Sequence, residues 1–251
     1  MGADLDPPLV RRAREILEAA RARDLDVRLI GGVAIYLGAS EPARRLLGRN
    51  YGDIDLVARR KQSRDLRRLL EELGYEGQQP FNATHGDRRL LYHHADPEHR
   101  VDVFLEIFEM CHTIDLGPRL TVDSETLSSA DLIITKLQIA QINAKDLSDC
   151  LLILLDHAPA ARDGEALLNT SRVAELCGAD WGLYTTLTDN LRHLANYVGS
   201  VRLSEGERLS VHERIGQVLD AIERTPKTLR WKARARVGRR VQWHDTPDEI
   251  A

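Results

Sequence analysis

The chain has 251 residues, of which 43% are hydrophobic and 29% charged. That is the mixture of a folded globular protein and suits one large domain or two small ones, not a disordered or collagenous chain. The 35 basic and 39 acidic residues leave a net charge of −4, so the whole protein is no bulk polyanion binder. No apolar run approaches the roughly 20 residues of a membrane span, and Met1 to Val10, with Asp4, Asp6 and two prolines, lacks the pattern of a signal peptide. Three cysteines, Cys111, Cys150 and Cys177, are odd in number and far apart. They read as free thiols in a reducing cytoplasm and not as a disulfide frame or a zinc site.

In chain order, Val10, Ala13, Ile16, Leu17 and Ala20 recur at helical spacing and predict a helix over residues 8–24. Val27 to Ile30 is a short strand ending at Gly31-Gly32, after which Val33, Ile35 and Tyr36 continue as a helix. Asp53 to Ala58 predicts a second strand, with Ile54, Leu56 and Val57 apolar. A helix over Ser63 to Leu73 follows, with Ser63 as its expected N-cap. Arg89 to His93 and Arg100 to Glu106 predict further strands. From Ser128 the pattern turns helical. Ser128 and Asp131 have capping-box spacing with Asp for the usual Glu. One helix then runs through Leu132 to Ala140, a second from Lys145 to Pro159, and three or four more over residues 170–232. Ala160 to Ala166 reads as a loop. The expected fold class is α+β, a mixed sheet flanked by helices and followed by an all-helical C-terminal region. The expected segments are an α/β core over 1–125, a helical region over 126–235 and a charged tail over 236–251.

Chemistry concentrates in the first half. Asp53 and Asp55 stand at i and i+2 of a strand and so face the same way. Two carboxylates side by side repel and raise each other's pKa. A hard divalent cation relieves that, since Mg²⁺ takes oxygen ligands from one or two carboxylates plus substrate phosphates. Asp102, in Val101-Asp102-Val103-Phe104, could supply a third carboxylate from a neighbouring strand and complete a two-ion site. Gly31-Gly32 at a helix start offers bare backbone N–H groups to phosphate. Each piece alone has a plainer reading: a solvated strand edge, a turn, an ordinary strand with one polar position. Lys136, among apolar helix neighbours, is either a snorkelling surface lysine or a cation for a triphosphate. Lys145, Asp146 and Asp149 follow it.

In this order the motifs resemble the DNA polymerase beta-like nucleotidyltransferase superfamily. More narrowly they are similar to its AbiEii/MenT-type bacterial branch, many of whose members are toxins paired with antitoxins. The segment Arg49-Asn50-Tyr51-Gly52-Asp53-Ile54-Asp55-Leu56 is similar to the Arg-x-x-x-Asp-Ile-Asp-Leu form of that branch. The match covers residues 26–155. The resemblance implies a nucleotidyltransferase core and a reaction that moves an NMP from an NTP, ATP among them, to an acceptor hydroxyl. It implies two Mg²⁺ ions, or Mn²⁺ in their place, on Asp53, Asp55 and Asp102, with Asp102 also helping to deprotonate the acceptor. Gly31 and Gly32 would touch the phosphates, Lys136 the triphosphate, and Asp146 would orient that lysine or the nucleotide. Arg49 would neutralise phosphate or brace the Asp strand. One departure stands out: Val33 follows the Gly pair where many members carry Ser or Thr, so a hydroxyl contact to phosphate would be missing.

Outside those motifs, Lys227, Arg230, Lys232, Arg234, Arg236, Arg239 and Arg240 form a run with Trp231 inside it and no acidic residue. It reads either as a solvated basic helix end or as a surface for an RNA acceptor such as a tRNA end. An antitoxin is a further expected partner, and a membrane is not. The His85, His93, His94 and His99 group and Cys111-His112 read as ordinary polar and half-buried positions, and Trp181 and Tyr184 as core. Two alternatives remain beside an RNA-directed enzyme: a transferase acting on a small hydroxyl compound such as an aminoglycoside, and a non-catalytic nucleotide- or RNA-binding module.

Overall fold

The computed structural model describes residues 7–46, 51–95 and 100–246. The chain divides into two compact units. The first takes Met1–Leu37, Arg49–Phe108 and Ile114–Leu127; the second takes Gly38–Gly48, Glu109–Thr113 and Ser128–Ala251.

In the first unit, α1 (Pro8–Arg21) buries Leu9, Val10, Ala13, Ile16, Leu17 and Ala20, the stripe its periodicity predicts. Five residues, the first three in a turn, lead to β1 (Val27–Ile30), which runs straight into α2 (Gly31–Gly38). Two strands, β2 (Asp53–Ala58) and β5 (Arg100–Leu105), form the centre of the sheet. Between them in sequence come α4 (Ser63–Glu72), β3 (Glu76–Gly77), α5 (Gln79–His85) and β4 (Arg89–His93); α3 (Glu41–Leu46) belongs to the second unit. The strand order is β1-β2-β5-β4-β3. β2 pairs β5 parallel and every other pairing is antiparallel, so the sheet is mixed. Residues 125–127 extend β1's outer edge: Leu29 N–H donates to Glu125 O and Leu127 N–H to Leu29 O. α4 buries Leu66, Leu69 and Leu70. At α1, Arg12 donates to Tyr75 Oη and to Leu73 O, where it satisfies a carbonyl just past the end of α4.

The observed elements differ from expectation at a few points. Ser63 does not cap its helix. The 3₁₀ turn Arg60–Gln62 feeds directly into α4, so the Ser63 N–H already donates to Arg60 O. α5 and β3 escape periodicity because each is under two turns or two residues long. The strands β6 (Ile107–Glu109) and β7 (Thr113–Asp115) escape it for the same reason.

The second unit is mainly helical. Ser128 does cap α6 (Ser129–Leu137), accepting from Asp131 N–H. α7 (Ala144–Asp156) starts at Asn143, whose Oδ1 accepts from Lys145 and Asp146. The expected loop over Ala160 to Ala166 is bracketed by a parallel pair, β8 (Ala158–Ala160) with β9 (Leu167–Asn169). Four helices complete the unit: α8 (Thr170–Ala179), α9 (Trp181–Val198), α10 (Glu205–Arg224), with a full capping box at Ser204 and Glu207, and α11 (Leu229–Val237). Orphan carbonyls at helix ends are met by long polar side chains. Asn190 donates to Leu137 O and Ile139 O at 2.8 Å each. Arg214 donates to Leu154 O and Leu155 O at 2.6 and 2.8 Å. Both choices place a donor where the helix dipole is negative.

His112 lies inside this unit, 7% exposed. Its Nε2 shares a 2.9 Å hydrogen bond with Thr186 Oγ1. Burial lowers its pKa from the ordinary 6.5, more than Asp180 and Asp245 raise it. The ring is therefore held neutral in the fold while the unfolded chain takes up a proton below 6.5. Stability conferred by this group is whole above that value and declines as pH falls, by at most about 1.4 kcal/mol per pH unit. Thermal midpoints measured from pH 7 downward should fall from near pH 6.5, and His112→Gln should flatten that limb.

Candidate active site

In β2 the residues alternate as the pleat requires: Ile54 and Leu56 are fully buried while Asp53 and Asp55 face the partly open side. The parallel register sets Asp55 directly beside Asp102 on β5, and Asp53 beside Arg100. On its other side Asp55 is paired with Ile30, the last residue of β1. The next residue, Gly31, turns the chain into α2 with φ +69°. A Cβ at Gly31 would stand 1.9 Å from Asp55 Oδ2. The glycine is thus required twice, for a left-handed backbone and for the carboxylate that fills the place of its side chain. Gly32 and Val33 follow it into α2, both buried. Val33 serves the core at the position where a hydroxyl is absent.

The carboxylates differ in their surroundings. Asp53 is 3.8 Å from Arg100 Nη2, an open pair with both side chains about half exposed. Asp102 is only 15% exposed and is gripped by Arg89 of β4, whose Nε lies 2.9 Å from Oδ1 and 3.1 Å from Oδ2 while Nη2 also donates to Oδ2. Burial pushes the Asp102 carboxyl above the usual carboxylate range; the Arg89 guanidinium opposes that and Asp53 adds to it.

The second unit holds the lysine cluster. Lys136, in the last turn of α6, lies 3.1 Å from Asp146 Oδ1 and 3.0 Å from Asp149 Oδ2 on α7. The three side chains are 12%, 10% and 0% exposed, so this lysine is no snorkelling surface residue. Asn143 sets the start of α7 and with it the phase that turns Asp146 and Asp149, one turn apart, toward Lys136. Cys150, next in line, is fully buried, and burial first and Asp149 second push its thiol up. Burial raises Cys177 to about 12.

Arg49 lies outside the described residues. The basic run is divided by the structure. Lys227 donates to Ile222 O and so closes α10. Arg234 donates to Gly238 O and Val241 O and lies over the Trp181 ring. Arg239 pairs with Asp189 and covers Trp243. Arg230, Lys232, Arg236 and Arg240 are exposed, with no ion pair among the described residues. Trp231 packs edge-on against Tyr184. Cys111 accepts from Ala140 N–H, and the neighbouring His112 ring is engaged by Thr186. Sequence reasoning left Arg89 unmarked. Its signal was faint: a strand arginine on the same face as Leu91, whose register partner is Asp102. Asp149 was noted as following Lys136 in sequence but was given no role.

Among the described residues no three His, Cys, Asp or Glu side chains converge as a ready ligand set. The donors at hand still suit a divalent cation. They are hard carboxylate oxygens, two on one face of β2 and a third in register, with Gly31 leaving room around Asp55. Asp102 is turned to Arg89, whose guanidinium pairs this partly buried carboxylate.

No known family and no curated protein matches the sequence. Solved structures give slight likenesses. The lincomycin-bound lincosamide antibiotic adenylyltransferase LnuA is 19% identical over 39% of this chain and 54% of its own, with a TM-score of 0.30. This chain therefore spans about half of that protein. ANT(2″)-Ia in complex with adenylyl-2″-tobramycin is 19% identical over 57% of this chain and 86% of its own, TM-score 0.40. An antigenic nucleotidyltransferase-like protein from Paracoccidioides brasiliensis is 16% identical over 88% and 94%, TM-score 0.45. All three lie at or below 19% identity and below a TM-score of 0.5.

Gly31→Ala should be costly. A left-handed backbone costs an L-residue roughly 1–2 kcal/mol, and Asp55 must also move away. A loss of about 2 kcal/mol or more, seen as a thermal midpoint lower by roughly 4–8 °C, is the expected result of a melting scan.

Proposed function

We propose that the chain is a divalent-metal-dependent nucleotidyltransferase that moves an NMP from an NTP to an acceptor hydroxyl. The observation that carries this is the register of Asp55 beside Asp102 on parallel strands, with Asp55 seated against a glycine that starts a helix. A purely structural sheet has no use for carboxylates aligned this way, because they repel.

Asp53 and Asp55 would hold a Mg²⁺ or Mn²⁺ ion, with Asp102 as the further ligand. The bound ion supplies charge neutralisation at the transferring phosphate and its leaving group. The Gly31-Gly32 turn leaves backbone N–H groups for the phosphates. Asp102 is the carboxylate that takes the acceptor's proton as the oxygen attacks the α-phosphorus. The new O–Pα bond forms, the bond from Pα to the bridging oxygen breaks, and pyrophosphate leaves. Lys136, held by Asp146 and Asp149, is the proposed cation for the triphosphate. Arg49 is proposed to neutralise phosphate or to brace the Asp strand.

For the acceptor we favour RNA. Supporting this are the exposed Arg230, Lys232 and Arg236 on α11 and Arg240 just past it. A small hydroxyl compound is the other acceptor class compatible with the site. In the test, the purified chain is incubated with each α-³²P-labelled NTP, Mg²⁺ and total RNA, and the products are resolved on a denaturing gel. Label on an RNA band, reduced at least about 100-fold in Asp55→Asn at unchanged thermal midpoint, is expected, since removing a charge-stabilising group commonly costs that much. No label from any NTP, together with metal-dependent NTP binding, would instead describe a binding module. RNA affinity should fall steeply with salt, by about 0.7 log unit per log unit of salt for each single-strand phosphate contacted. Arg230→Ala with Arg236→Ala should lessen that slope in a filter-binding titration.

A further inference from the structure

Asp102 is far less available than Asp53, and the reason is a single side chain. Arg89 engages both of its oxygens in a bidentate pair. Pairs of that geometry are roughly twice as strong as neutral hydrogen bonds. The guanidinium is also stacked: it lies 4.7 Å from the centre of the Phe104 ring and 5.9 Å from that of Phe81. With only 20% of the Arg89 side chain exposed, water competes little for either partner. Phe104 sits two residues beyond Asp102 on the same face of β5, and its register partner is Arg89 itself. The strand register thus fixes the arginine, its carboxylate and its stacking ring together.

The contrast with Asp53 is sharp. Its arginine, Arg100, is single-contact at 3.8 Å and half exposed. Such pairs are worth little and yield readily to a competing cation. The charges follow from this. Asp102 with Arg89 forms a tight, shielded neutral pair, whereas Asp53 shares its charge only with the loose, half-exposed Arg100. A second ion must draw Asp102 away from two charge-assisted hydrogen bonds and a stacked ring.

We propose that Arg89 is a latch on the third carboxylate, so that the resting protein takes one divalent ion and the second enters only by displacing Arg89 from Asp102. The inference rests on the reading of Asp53, Asp55 and Asp102 as metal ligands. Arg89 acts here through Asp102 and is a positioning residue. In the proposed reaction its release would free the same carboxylate for the acceptor proton, so loading of the second ion and readiness of the base would be one event.

The test counts ions and needs no turnover. Mn²⁺ alone is titrated into the full chain, and free Mn²⁺ is read by electron paramagnetic resonance. The unmodified protein should bind one ion clearly more tightly than the next. Arg89→Gln should tighten the second ion by about 10-fold or more, the scale on which partners of ligand side chains tune metal affinity. Combining Arg89→Gln with Asp102→Asn should return binding to one ion. Should Arg89→Gln fail to fold, Arg89→Lys keeps the charge but not the fork, and a tightened second ion is expected there too. Two equivalent ions in the unmodified protein, or a second ion unmoved in the folded Arg89 variant, would overturn the latch while leaving the metal site intact. No Mn²⁺ uptake at all, or uptake unchanged in Asp55→Asn, would remove the metal reading itself and the latch with it.

Discussion

The parallel pairing of β2 with β5 is the constraint on which the first unit depends. Parallel neighbours cannot be joined by a tight turn and need a long crossover. Here the crossover carries α4, β3, α5 and β4, so the sheet's outer half is built inside the connection. One register then decides everything near the acids. It sets Asp55 beside Asp102 and Asp53 beside Arg100, and through β4 it sets Leu91 beside Asp102 and Arg89 beside Phe104. A slip of one residue would turn Asp53 and Asp55 into the core and Ile54 and Leu56 out of it. The burial of Ile54, Leu56, Val101 and Val103, each 1% exposed or less, is therefore what holds the carboxylates in line.

Aligning like charges is unfavourable, and the fold offsets it unevenly. Asp102 is partly buried and receives a bidentate arginine. Asp53 is half in water and has a loose one. Asp55 displaces the side chain that Gly31 does not have. The gradient runs from a neutralised carboxylate to one that meets solvent, across two neighbouring strands. A cation approaching from water meets the weakly committed carboxylate first.

The second unit shows a different use of charge. Lys136 is pinned between Asp146 and Asp149 with almost no exposure, a cluster of net charge −1 whose rigidity comes from helix phase. Elsewhere cations close helix ends: Arg214 at α7 and Lys227 at α10. The same economy splits the basic run. Three of its seven members hold the chain's own carbonyls, rings or Asp189, and the four exposed members with no ion pair among the described residues are the ones a polyanion could meet.

Much of this was legible in the sequence. Alternation over Asp53 to Ala58 requires both acids on one face, since a strand has a period of two. Gly31-Gly32 after an apolar run marks the strand-to-helix turn, because other residues resist φ near +69°. The α1 stripe, the Ser128 cap and the α7 helix follow from spacing alone. The short elements β3, α5 and β6 to β9 were not legible, being too brief to carry a period, and the Ser63 cap was lost to a 3₁₀ turn that local sequence does not announce. What only the tertiary structure decided is pairing. No spacing rule says that β5 rather than β1 or β4 lies parallel to β2, that Arg89 reaches Asp102, or that Asp149 joins Asp146 on Lys136. Those contacts join residues far apart or on separate elements. They are chosen by which apolar faces bury together, a property of the whole chain and not of any one segment.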